Sequence, residues 1–138
     1  MTTTDRTLWR LTAVAAPVLL LASLAYLSST DAPTIRIAIN GIVCGTYLAT
    51  GLLAWKLRPA NRTGRVMVAT GLLLMLDPLQ AGNVAALVLV GLVATTVSDV
   101  LLGYLILAFP WGTLRSDVDR AFVAVSAVAM LSANIAAF

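Results

Sequence analysis

The chain has 138 residues, 60% hydrophobic and 11% charged, where a soluble domain carries about 25% charge. Nine Lys and Arg stand against six acidic residues, all Asp; without a histidine there is no imidazole base, ligand or phosphoacceptor, and a lone cysteine, Cys44, excludes an internal disulfide and any Cys/His metal cluster. A mean hydropathy of +0.96 makes lipid the expected solvent, and the composition calls for no cofactor.

A membrane core roughly 30 Å thick needs about 20 apolar helical residues to cross. Five stretches approach that length, which predicts an all-α integral membrane bundle forming one domain. The first runs over 11–28, the second over 35–57 and the fourth over 84–109. The third starts at Val66, is interrupted at Asp77-Pro78, and must recruit residues 79–82 to cross; otherwise it is a short or re-entrant element. The fifth, 121–138, is apolar throughout. A short basic start and the small residues around Ser23 give the first stretch some likeness to a secretory signal, but its apolar run continues through Leu27, so an uncleaved anchor is expected.

Charges fall between these runs. Arg6 and Arg10 precede the first, Lys56, Arg58, Arg62 and Arg65 crowd the second loop, and Arg115 and Arg120 the fourth; Asp31 and Asp77 occupy the intervening loops. Because positive loops stay in the cytoplasm, the N-terminus and loops 58–65 and 111–120 are predicted cytoplasmic, and loops 29–34 and 77–83 external. Five spans then leave Phe138 outside. Arg36, at the external end of the second span, is expected to snorkel to the headgroups.

Asp99 is the one ionisable residue deep inside a predicted span, about 15 Å from the cytoplasmic boundary. Such a residue costs about 2.5–3.5 kcal/mol at a helix centre and is by default a functional candidate. With Thr95 and Thr96 one turn earlier it would form a compact polar face. A protonated Asp99 bonded to Thr95, Asn40 or Asn134 would satisfy the same group without any function.

Small residues mark two helix-packing candidates, Gly41 and Gly45 on the second span, and Gly91 and Gly103 in register with Thr95 and Asp99 on the fourth. Cys44, within that first pair, reads as a small buried residue. Trp9, Trp55 and Trp111 fall at predicted cytoplasmic interfaces, where anchoring suffices as a role. The basic loop at 56–65 is explained by topology and anionic lipid, so no nucleic-acid partner is expected. No catalytic constellation is present: Asp117 and Asp119 lie beside Arg115 and Arg120 in a solvated turn, where Ser116 or Asp117 would cap the last helix.

Two loops carry a family likeness. The stretch WKLRPANRTGR at 55–65, followed by VM, resembles the W-x-x-RPxNRxGxLM turn of the membrane input region of actinobacterial two-component sensor histidine kinases, through Arg58, Pro59, Asn61, Arg62 and Gly64. The stretch LAFPWGTLRSDVDR at 107–120 resembles the LAFPxGRLxSxxDR turn of the same proteins, through Phe109, Pro110, Gly112, Asp119 and Arg120. Thr113 stands where that pattern has Arg, and Tyr104 where a His often precedes the turn. Eight Arg to one Lys suits a high-GC actinobacterial source. The resemblance implies a kinase core with a phosphoacceptor His, which this histidine-free chain does not contain; the chain is expected to be a detached input half and not an enzyme.

The expected function is therefore a multi-pass cell-membrane sensor region that transmits a signal by helix displacement to a kinase or response-regulator partner, with homo-oligomerisation open. The rivals are a small proton-coupled carrier using Asp99 and an accessory subunit of a larger membrane complex.

Overall fold

The computed structural model describes residues 3–30, 32–108, 113–114 and 116–137, without the side chains of residues 135 and 137. Among them every regular element is helical: α1 (Thr3–Ser28), α2 (Thr34–Leu57), α3 (Thr63–Leu74), a 3₁₀ turn (Asp77–Ala81), α4 (Ala85–Ala108) and α5 (Asp117–Ala137). Three of these, α1, α2 and α4, are long and apolar enough to cross a membrane. Neighbours in sequence are neighbours in space: α2 packs on α1 and most extensively on α3, α3 on α4, and α4 on α5, while the 3₁₀ turn leans on α4 and α1.

The boundaries follow from local chemistry. Pro33 opens α2, its carbonyl accepting the Arg36 N–H at 2.8 Å. Pro59 ends α2 by pushing Arg58 out of helical geometry, to φ −132°, ψ 70°. Asn61 Oδ1 then accepts from both the backbone N–H and the hydroxyl of Thr63, at 2.9 and 2.7 Å, and starts α3. At α5 the Ser116 hydroxyl accepts the Val118 N–H at 3.1 Å while Asp119 accepts the Ser116 N–H at 3.4 Å, a reciprocal cap.

The third apolar run does not form one helix over 66–82. Pro78 has no N–H to offer the Leu74 carbonyl, so α3 stops at Leu74 and the chain tightens: Leu76 N–H bonds Leu73 at 2.9 Å and Leu79 N–H bonds Leu76 at 3.1 Å. That shift withdraws the Leu79 donor from the Met75 carbonyl. Ser23 of α1 replaces it, its hydroxyl donating to Met75 O at 2.9 Å in a buried site. An orphan carbonyl at this depth would cost several kcal/mol, since lipid offers no donor.

The core lies among the first three helices, where Ala16, Cys44, Leu48, Trp55, Val68 and Met75 are buried together. Outward faces are apolar as well: Val14 and Leu21 of α1, Ile42 of α2, Ile106 of α4 and Val125 of α5 are all exposed. Hydroxyls along the helices bond back to their own turn, as Thr46 to Ile42 O at 2.7 Å and Thr70 to Val66 O at 2.9 Å. A surface this apolar is compatible with a hydrocarbon solvent.

Glycines set the closest approach. Gly64 lies so near α2 that a Cβ there would strike the Trp55 backbone nitrogen and come within 2.9 Å of the Gly51 carbonyl oxygen. Gly41 and Gly45 face Leu24 and Leu20 of α1 at ordinary contact distances, and Gly103 faces open space. Tighter than Gly41, Gly45 or Gly103 against neighbouring backbone are Gly51 on α2, 2.8 Å from the Val68 nitrogen, Gly64 on α3 and Gly91 on α4, the last within 3.0 Å of the Leu76 carbonyl oxygen. Gly64→Ala is expected to lower stability by about 1–3 kcal/mol, measured by thermal unfolding in detergent micelles. Gly103→Ala, which meets no atom, should be neutral or stabilising by up to about 1 kcal/mol.

Candidate functional site

The break after α3 places two polar side chains, Asp77 and Gln80, against Thr95 of α4. Gln80 Nε2 donates to Thr95 Oγ1 at 2.8 Å and to Asp77 Oδ1 at 3.0 Å, and the Thr95 hydroxyl lies 3.2 Å from the same carboxylate oxygen and 2.9 Å from the Gly91 carbonyl. Arg36 of α2 reaches the other carboxylate oxygen, Asp77 Oδ2, at 3.6 Å. Gly91 makes this possible, because without a side chain it lets the Gln80 backbone nitrogen come within 3.0 Å of its Cβ position. Thr95 follows the start of α4 by ten residues, about 15 Å along the axis, so the cluster sits near the middle of that helix.

Asp77 packs into the bundle, its side chain only 28% exposed. Arg36, half exposed, reaches it from α2. The two form the polar lip of a groove otherwise lined by Ile35, Ile39, Val43 and Leu74. Below them Cys44 Sγ donates to Asn40 Oδ1 at 3.7 Å.

The expected polar face of Asp99, Thr95 and Thr96 is divided three ways. Thr95 joins the Asp77 cluster. Thr96 is buried and accepts from Asn134 Nδ2 of α5 at 2.7 Å, which fastens α5 to α4. Asp99 is exposed on the side of α4 and, among the described residues, makes no hydrogen bond or ion pair. Asn134 and Asn40, its expected partners, are engaged elsewhere. Rotation separates the two threonines, since neighbours at 95 and 96 point about 100° apart on a helix; Asp99 shares the Thr95 side of the helix but lies a turn beyond the Asp77 cluster.

The opposite end of the bundle, where α2 and α3 join, carries a second assembly. Arg65 bridges to Asp5 of α1 at 3.0 Å, donates to the Pro59 carbonyl at 3.3 Å and stacks over the Trp55 ring at 5.5 Å. Lys56 lies 5.4 Å from the Trp9 ring centre, and Trp9 Nε1 donates to Leu52 O at 2.9 Å. Trp9 and Trp55 are thus interhelical packing residues more than surface anchors, and Trp55 is 7% exposed. The basic residues at 56 and 65 have partners within the bundle. Of the family-like turns, Asn61 caps α3 and Gly64 seats it on α2, Arg58 lines a groove with Thr50 and Leu57, and Arg120 pairs with Asp117 at 3.3 Å. Asp31, Phe109, Pro110, Trp111, Gly112, Arg115 and Phe138 lie outside the described residues.

The Asp77 cluster was missed because its charge follows an apolar run of about two-thirds of a span. The signal lay in that shortness: a run broken by Asp-Pro before it is long enough to cross leaves the following residues, Gln80 included, against the side of α4. Comparison with known protein families, with curated proteins and with solved structures finds no match for this chain.

Neutral intramembrane hydrogen bonds average about 0.6 and reach about 1.7 kcal/mol, whereas part-exposed ion pairs give about 0–1 kcal/mol. A double-mutant cycle of Gln80→Ala with Thr95→Val, followed by unfolding in micelles, is expected to return a coupling of about 0.6–1.7 kcal/mol. The Arg36→Met, Asp77→Asn cycle should return less, about 1 kcal/mol or below. Equal or reversed couplings would show that the ion pair to α2 fixes the turn at least as firmly as the Gln80–Thr95 bond to α4.

Proposed function

We propose that the chain is the multi-pass membrane input region of a two-component signalling protein, without catalysis of its own, whose helices shift relative to one another when a signal reaches them. The single observation that carries this reading is the double attachment of Asp77. One carboxylate oxygen faces Arg36 of α2 and the other faces Thr95 and Gln80. Whatever competes for Asp77 alters the position of α4 against α2. The glycine-seated α2–α3 hairpin is a stiff lever from that point to the far end, where Arg65 and Lys56 tie it to α1.

The likeness of residues 55–65 to the sensor-kinase turn supports the same reading, because the residues that carry it build this joint. In the proposed topology the chain crosses five times: α3 with its 3₁₀ turn makes the third crossing and α5, 21 residues long, the fifth. The N-terminus and loops 58–65 and 111–120 then face the cytoplasm. The carrier reading draws no support from Asp99, which lies on the exposed side of α4 instead of in the interior.

Topology is checked by reporter fusions. A periplasmic-type phosphatase joined after Pro59 should be inactive and one joined after Asn83 active; the reverse pattern overturns the orientation. The signalling role is checked at the genetic locus. A kinase core with a phosphoacceptor His should be encoded in frame beyond codon 138 or by an adjacent gene, and a locus with neither overturns the reading.

A further inference from the structure

Asp99 lies nine residues before the end of α4, about 14 Å along the axis, and is exposed there. Among the described residues no donor or cation meets it. One turn further on, a Cβ at Gly103 would find nothing within 4 Å, and the next turn exposes Ile106 at 76%. The surface is therefore a strip with an acid at membrane depth, a gap where a helix backbone could approach, and an apolar end.

Among the described residues no cation serves this strip. Arg36 is taken by Asp77 near the other end of α2, and Lys56, Arg58, Arg62 and Arg65 sit where α2 meets α3. A second copy packed about an axis along the membrane normal would bring only another Asp99 to the same depth. Like charges there repel, while opposite charges in the membrane pair.

We propose that the Asp99–Gly103–Ile106 strip of α4 docks a transmembrane helix of another protein that carries a Lys or Arg at mid-membrane depth. The cation neutralises Asp99, Gly103 admits the partner's backbone, and Ile106 extends the contact. The strip begins one turn beyond Thr95 of the Asp77 cluster, whose other members lie on α2 and the 3₁₀ turn.

The test uses the full chain, fluorescently labelled and reconstituted in phosphatidylcholine vesicles with a synthetic Leu-rich transmembrane helix carrying one central Lys. Energy transfer should show this helix binding at least about tenfold more tightly than an all-Leu helix of the same length. Asp99→Leu should abolish the preference and Asp99→Glu should keep it, with helical content confirming that each variant is folded. Equal binding of both helices, or a preference that survives in Asp99→Leu, overturns the proposal. Self-association of the chain that is lost in Asp99→Leu and not displaced by the Lys helix also overturns it, assigning the strip to a second copy.

Discussion

The missing N–H of Pro78 is the constraint from which the rest of the bundle follows. A proline here cannot be compensated by water, so the backbone tightens into a 3₁₀ turn and passes the deficit to the Met75 carbonyl. Ser23 absorbs it from α1. The same tightening turns Asp77 and Gln80 toward α4 and within reach of Arg36. One imino acid thereby accounts for a helix boundary, an α1 contact and the most polar cluster at membrane depth.

Much of this was legible in the amino-acid order. The apolar stretches at 11–28, 35–57 and 84–109 correspond to α1, α2 and α4 within a few residues, apart from an early start of α1 at Thr3, because hydrophobic length is a strong signal in lipid. Ser116 and Pro59 likewise announce their boundaries through local chemistry. What could not be read was partner choice. Thr95 and Thr96 are adjacent letters with different neighbours, and only the packed geometry shows that one faces the 3₁₀ turn and the other α5. The glycines illustrate the same limit: Gly41 and Gly45 satisfy the spacing rule yet touch only leucine side chains, while Gly64, outside any such repeat, sits against backbone.

The apolar surface and the polar contacts divide the labour between them. In lipid, burial of hydrocarbon gives little drive to bring helices together, so the few directional bonds decide which helix faces fit. Among the described residues they include Ser23 to Met75, Gln80 to Thr95, Asn134 to Thr96 and Trp9 to Leu52. Each joins a different pair of segments, and together they bring all five helices and the 3₁₀ turn into one bundle; α2 is held further by the Arg36–Asp77 pair and by glycine-mediated closeness to α3.

The Ser23–Met75 bond also imposes an order on biogenesis. A chain emerges from the ribosome N-terminus first, so the Ser23 donor is made 52 residues before the carbonyl it serves. When the third segment forms, the hydroxyl that donates to its unpaired carbonyl already exists on the first helix. The first helix can thus act as a template on which the broken one is finished.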